Sequence, residues 1–247
     1  MKIAIRVSYP ELGNYNWHEA LSEFQSVGQV EVAFFDYELF PAVSLESVQR
    51  PFEGGLKLEV GSVHAPHVRV TRLGLFEKTI EQACRYAKAL GAKYIVVHPT
   101  NAKLEEVVAF LNHTIVPILE EYDCVLCWET FLGGRRLFSG PQSIARFCEN
   151  RPIFGMCYDT SHLIQGTLPI LEDFYKYQDA IKVFHISNWS RMGGVHLPLR
   201  HKDGVIDFRL LLEKLSQDFD GIATLEYLPS YHHLLVQDAK WAMEFCY

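Results

Sequence analysis

Six side chains able to bind a metal or carry a proton, His64, His98, Glu129, Asp159, His185 and Glu226, recur at gaps of 34, 31, 30, 26 and 41 residues, each just past a short apolar run. Imidazoles and carboxylates together form a mixed nitrogen and oxygen donor set suited to Mn²⁺, Mg²⁺, Co²⁺ or Zn²⁺. An isolated charge in a low-dielectric interior is costly, so Glu129 in VLCWET and Glu226 in ATLEYL call for a partner or an ion. Each alone reads equally well as a strand-mouth Glu paired with Arg or Lys. With Asp159 and His185 they make a set sufficient for one divalent ion. His64 in GSVHAPH and His98 in IVVHPT each end an apolar run before a proline that cannot continue a ladder, and they read either as ligands of a second ion or as pocket lining. Asp159 opens D-T-S-H, which puts His162 in the turn beyond, where it can meet a substrate. The following loop, ISNWSRMGGVHLPLRHKDGVIDF, offers Arg191 and His196 to a polar or anionic substrate group; Arg200, His201 and Lys202 fit a solvated basic loop equally well.

Intervals of this length match one strand-plus-helix unit, so the six groups can stand at the ends of successive parallel strands. Strand candidates fall at 2–7, 30–35, 58–64, 94–98, 125–130, 154–159, 181–187 and 222–228, with helix candidates at 17–27, 43–53, 74–90, 103–122, 141–149, 170–179, 207–217 and 233–245. Asn16, Ser44 and Asp207 are placed to cap helices, and Gly91 to end one. Strict alternation without a linker predicts an α/β fold of one domain over 1–247, a single (β/α)8 TIM barrel. A doubly wound open sheet is the rival, but it gathers functional groups at one switch point, whereas six consecutive strand ends carry them here.

The chain has 247 residues, is 49% hydrophobic and carries a formal charge of −7. That balance argues against a broad surface tracking nucleic-acid phosphates, which depends on Lys and Arg. No run approaches a membrane span and the N-terminal residues lack signal-peptide sections, so a soluble cytoplasmic protein is expected. Six scattered cysteines read as reduced thiols; Cys124 and Cys127 form C-x2-C, but residues three apart on a strand face opposite ways. The aromatics Trp17, Tyr231 and Trp241 fit helix packing or a homo-oligomer contact.

As an ordered set, VHAPH, VVHP, WET, YDTSH, FHISN, HLPL…GVIDF and LEY resemble the xylose-isomerase-like TIM-barrel superfamily, which includes sugar isomerases and epimerases, inosose dehydratase and endonuclease IV (AP endonuclease family 2). The resemblance covers most of the chain. In the epimerase-like branch it implies a metal held by Glu129, Asp159, His185 and Glu226, with His162 and Arg191 at the substrate. In the endonuclease IV branch it implies that His64 and His98 help hold a multinuclear zinc cluster. That branch carries an Asp two residues before the histidine matching His196, a position held here by Gly194.

These readings lead to a metal-dependent isomerase or epimerase of a sugar or related polyol. Glu129 and Glu226 exchange a proton next to a carbonyl, through an enediolate stabilised by the ion. The alternatives are a zinc-dependent phosphodiesterase acting at abasic DNA, an inosose-dehydratase-like lyase, and a binding module that has lost catalysis.

Overall fold

A computed structural model of the chain describes residues 1–9, 17–53, 55, 57–100, 102–132 and 137–246. Eight parallel strands close into a barrel: β1 (Lys2–Tyr9), β2 (Gln29–Phe34), β3 (Glu59–His64), β4 (Tyr94–Val97), β5 (Val125–Glu129), β6 (Phe154–Asp159), β7 (Ile181–Ile186) and β10 (Ile222–Leu225). All eight coincide with the predicted strands to within a few residues at their ends. The seam closes where β1 pairs with β10, Lys2 opposite Ile222 and Ile5 opposite Leu225.

Side chains alternate across each strand, and the two faces meet different surroundings. On β5, Val125 and Cys127 join Val96, Cys157 and Val183 in an apolar plug, while Leu126 and Trp128 belong to the larger cluster shared with the helices. Glu129 follows in the inward phase, immediately above the plug. Cys124 belongs to the outer cluster and Cys127 to the inner one, and all six cysteines are free thiols.

The helices α1 (Trp17–Phe24), α2 (Leu45–Gln49), α3 (Leu73–Leu90), α4 (Leu104–Phe110), α5 (Val116–Tyr122), α6 (Pro141–Cys148), α7 (Thr167–Tyr177), α8 (Phe208–Asp218) and α9 (Leu235–Met243) surround the strands. Ser44 and Asp207 cap α2 and α8 by accepting from Ser47 N and Leu210 N. Gly91 ends α3 at φ 73°. Asn16 and the Trp17 side chain lie outside the described residues. The helix predicted over 103–122 is divided by a π-helical turn, Leu111–Ile115, placed just before Pro117, which has no N–H to continue the ladder. Among the described residues no helix is long and apolar enough to cross a membrane.

Two departures from regular barrel geometry shape the site. Between β2 and β3 the register slips: Val30 pairs with Val60 but Glu31 with Ser62, so Gly61 is the extra residue of a bulge. A Cβ on Gly61 would lie 2.7 Å from Ile222 Cδ1, so only glycine fits there without displacing that side chain. After β7 the chain forms an antiparallel hairpin, β8 (Asn188–Ser190) and β9 (Gly194–Leu197), in a stretch expected to be loop.

Candidate metal centre

Neighbouring strands deliver the predicted ligands because their ends share a register. Glu129 pairs with Cys157, Asp159 with His185, and His185 with Thr224, one residue pair before the chain leaves β10 for Glu226. Ligand atoms of Glu129, Asp159, His185 and Glu226 all lie within 4.8 Å of one another. His185 Nδ1 is 2.9 Å from Glu226 Oε2 and 3.3 Å from Glu129 Oε1. Asp159 Oδ1 is fully used: it accepts from Ser161 N, Ser161 Oγ and His162 N at 2.7, 3.0 and 2.8 Å. Its other oxygen, Oδ2, is buried and accepts no hydrogen bond, and the same is true of Glu226 Oε2. Unsatisfied buried carboxylate oxygens turned toward one point fit a cation, since each otherwise bears its full desolvation cost.

His64 and His98 reach the other side of Glu129, each with Nε2 3.1 Å from Oε2. Burial, and after it the Arg6 charge, pushes His64 down to about 3, so at neutral pH its ring carries a single proton. Nδ1 lies 3.0 Å from Ala65 O and Nε2 3.1 Å from Glu129 Oε2, so the single proton can serve only one of two acceptors. With the proton on Nδ1, the Nε2 lone pair faces a carboxylate oxygen, an arrangement relieved by a cation bound between them. His67, exposed, stands with its ring 5.5 Å from that of His98.

His162 and His196 meet with Nε2 atoms 3.0 Å apart, where one must donate and the other accept. Burial opposes charge on His162, but Asp159 and Glu129 outweigh it and raise the group to about 9. Burial drives His196 down to about 4. His162 is therefore the charged donor and His196 the neutral acceptor. Against its burial, Glu129 is held well below the usual carboxylate range by His98, His162 and His185. Phe131 stands against His162 with ring centroids 4.3 Å apart, and Phe35 covers the guanidinium of Arg6 at 5.0 Å, giving the mouth two aromatic walls.

Arg191 is exposed on the turn joining β8 and β9, outside this cluster. Gly194, also exposed, holds the turn at φ 78°. Arg200 is paired with Asp238, its Nε and Nη2 2.9 and 2.8 Å from Oδ1. Tyr231 and Trp241 are partly buried against the core.

Two site residues escaped the sequence reading. Arg6 of β1 places Nη1 against Glu226 Oε1, with Nε 3.5 Å from Glu31 Oε1. Glu31 of β2 is fully buried and lies 3.1 Å from His185 Nε2. Burial would push its carboxyl up, but His185, Arg6 and His64 outweigh that and hold it at about 2. Both lie inside apolar strands, whereas Glu129 ends one.

The profile of the Xylose isomerase-like TIM barrel family matches residues 72–245. The chain belongs to this family. Members of the Xylose isomerase-like TIM barrel family are enzymes, isomerases and epimerases among them. No curated protein sequence is significantly similar to this member. Similar solved structures include endonuclease IV from Thermus thermophilus, at 17% identity and TM-score 0.69, with 99% of each chain covered. Another is D-allulose 3-epimerase from Methylomonas sp. in complex with D-allulose, at 14% and 0.72, covering 100% of this chain and 97% of that one. The IOLI protein with a bound zinc atom is similar at 17% and 0.66, over 99% and 98%. At such identities the likeness of this Xylose isomerase-like TIM barrel to its neighbours concerns the fold.

Proposed function

We propose that the protein is a divalent-metal-dependent isomerase or epimerase of a sugar or related polyol. The observation that carries this is the convergence of Glu129, Asp159, His185 and Glu226 on one point, with buried Asp159 Oδ2 and Glu226 Oε2 accepting no hydrogen bond. These four residues would hold the ion. When bound, it supplies Lewis acidity toward the carbonyl and hydroxyl oxygens of the substrate, acidifying the adjacent C–H. Glu129 and Glu226 are the groups that would remove that proton and return it at their carboxylate oxygens. His162 and His196 would give up their mutual hydrogen bond to orient substrate hydroxyl groups, one as charged donor and the other as neutral acceptor, while Phe35 and Phe131 flank the mouth. Arg191, on the exposed turn, would meet a part of the substrate outside the barrel.

In the Mn²⁺-loaded protein, Glu129→Gln and Glu226→Gln are each expected to lower turnover of ketoses or their phosphates by about 10²–10⁴-fold, the usual worth of a positioned acid or base. Activity retained in either variant would refute the proton-transfer scheme.

A second reading, a zinc phosphodiesterase at abasic DNA, is favoured by the approach of His64 and His98 to Glu129 Oε2 while Oε1 faces His162 and His185. Such a carboxylate is suited to bridge two ions. Two or three zinc ions per chain, with salt-sensitive cleavage of an abasic-site oligonucleotide, would put this reading first.

A further inference from the structure

We infer that Glu31 is a positioning residue: it accepts the Nε2 proton of His185 and so presents the Nδ1 lone pair of that ring to the four-ligand group. The inference rests on the metal reading of that group given above. His185 has its two nitrogens in different company, Nδ1 toward Glu226 and Glu129, Nε2 toward Glu31 Oε2 at 3.1 Å. An imidazole that binds a cation through one nitrogen keeps its only proton on the other, and a carboxylate beyond that nitrogen fixes both tautomer and ring plane.

Glu31 is itself aimed. Ser62 Oγ donates to Oε2, the oxygen that faces His185, at 2.7 Å. Ser62 stands opposite Glu31 only because the Gly61 bulge slips the β2–β3 register by one residue, and a one-residue slip reverses the face a side chain occupies. Arg6 approaches the remaining oxygen, Oε1, at 3.5 Å and contacts Glu226 with Nη1, so one guanidinium spans a ligand and the carboxylate behind another ligand. Glu31 has no exposed surface, so its charge has no solvent to face and depends on the protein groups around it.

Metal-free protein titrated with Zn²⁺ against a chromophoric chelator tests this. Glu31→Ala is expected to weaken zinc binding by about 10–100-fold, as loss of the partner behind a ligand histidine does elsewhere. Glu31→Gln keeps an acceptor oxygen and the side-chain volume, and is expected to recover most of that loss. Nitrogen-15 NMR of the zinc-loaded protein is expected to show the His185 proton on Nε2 in the wild type and in Glu31→Gln. A purely structural role would lower the melting temperature without altering affinity or tautomer. Unchanged affinity in a folded Glu31→Ala protein, or a wild-type proton on Nδ1, would overturn the inference while leaving the metal reading intact. Wild-type protein that binds no ion would instead overturn the metal reading, and this inference with it. Should Glu31→Ala fail to fold, Ser62→Ala, which removes only the donor to Oε2, is expected to weaken zinc binding several-fold, and unchanged affinity there counts against the role.

Discussion

Acid removes stability from the metal-free protein through buried groups that include Glu31 and His64, and base removes it through His162. Glu31 sits at about 2 in the folded chain against an ordinary value of 4.5, so its contribution is whole above 4.5 and is lost as pH falls toward 2. His64, lowered from 6.5 to about 3, acts in the same sense: its contribution is whole above 6.5 and is lost as pH falls below that. His162 has the opposite sign, because its folded value of about 9 lies above 6.5, so its contribution is present below 6.5 and lost as pH rises through 9. The urea midpoint of the metal-free protein is therefore expected to peak near pH 6.5 and to decline on both sides. A midpoint still climbing between pH 6 and pH 4 would contradict the environments assigned to Glu31 and His64. At this scale the sequence was only partly legible. Glu129 and Glu226 stand out because a carboxylate ends a run of apolar residues. Glu31 in VEVAFF and Arg6 in IAIRV instead read as the polar phase of a half-exposed strand, and only closure of the barrel turns that phase inward, away from water.

In the loop after β7, one amide side chain gathers several backbone groups. Asn188 Nδ2 donates to Leu199 O and Ile206 O at 3.1 and 3.0 Å, and its Oδ1 accepts from Ile206 N at 3.0 Å. Gly204 packs so closely on this side chain that a Cβ would lie 2.3 Å from Nδ2. Tyr227 ties the same loop to α9, accepting from Leu199 N and donating to Asp238 Oδ2 at 2.9 and 2.8 Å. Asn188→Ala strands three buried backbone groups, at about 1–3 kcal/mol for each one left unsatisfied. Its expected signature is a lowered melting temperature and faster amide exchange of Leu199 and Ile206 than of the β5 and β6 amides. Equal exchange would mean that the loop is held by something else. The strands and most helices were legible because hydrophobic period and caps are local signals. The hairpin was not: its strands are three and four residues long, its pairing contains a register shift, and its turn depends on Gly193 and Gly194 rather than on any alternation.

Over the whole molecule, an ion bound only by the folded state stabilises it by mass action. At about 100 times its Kd the gain is about 2.7 kcal/mol, or about 5–10 °C in Tm for a chain of this size. Addition of Mn²⁺ or Zn²⁺ to chelator-treated protein is expected to raise Tm by that order, and no rise at millimolar ion would argue against the site. The barrel itself was legible from the even recurrence of six polar groups, since that recurrence is the repeat of its units. Whether the site suits one ion or more was not, because that turns on the two oxygens of Glu129 facing different histidines, which no spacing encodes. The seam between β1 and β10 adds a temporal consequence. Arg6 lies on the first strand and Glu226 just beyond the last, and they meet only when the ends of the sheet join. A chain emerging from the ribosome displays Glu31, His64, His98 and Glu129 before His185 and Glu226 exist, so on the proposed reading the four-ligand group is complete only once the chain has passed β10. Until that strand is made, the proposed ligands would act only as separate, weak chelators.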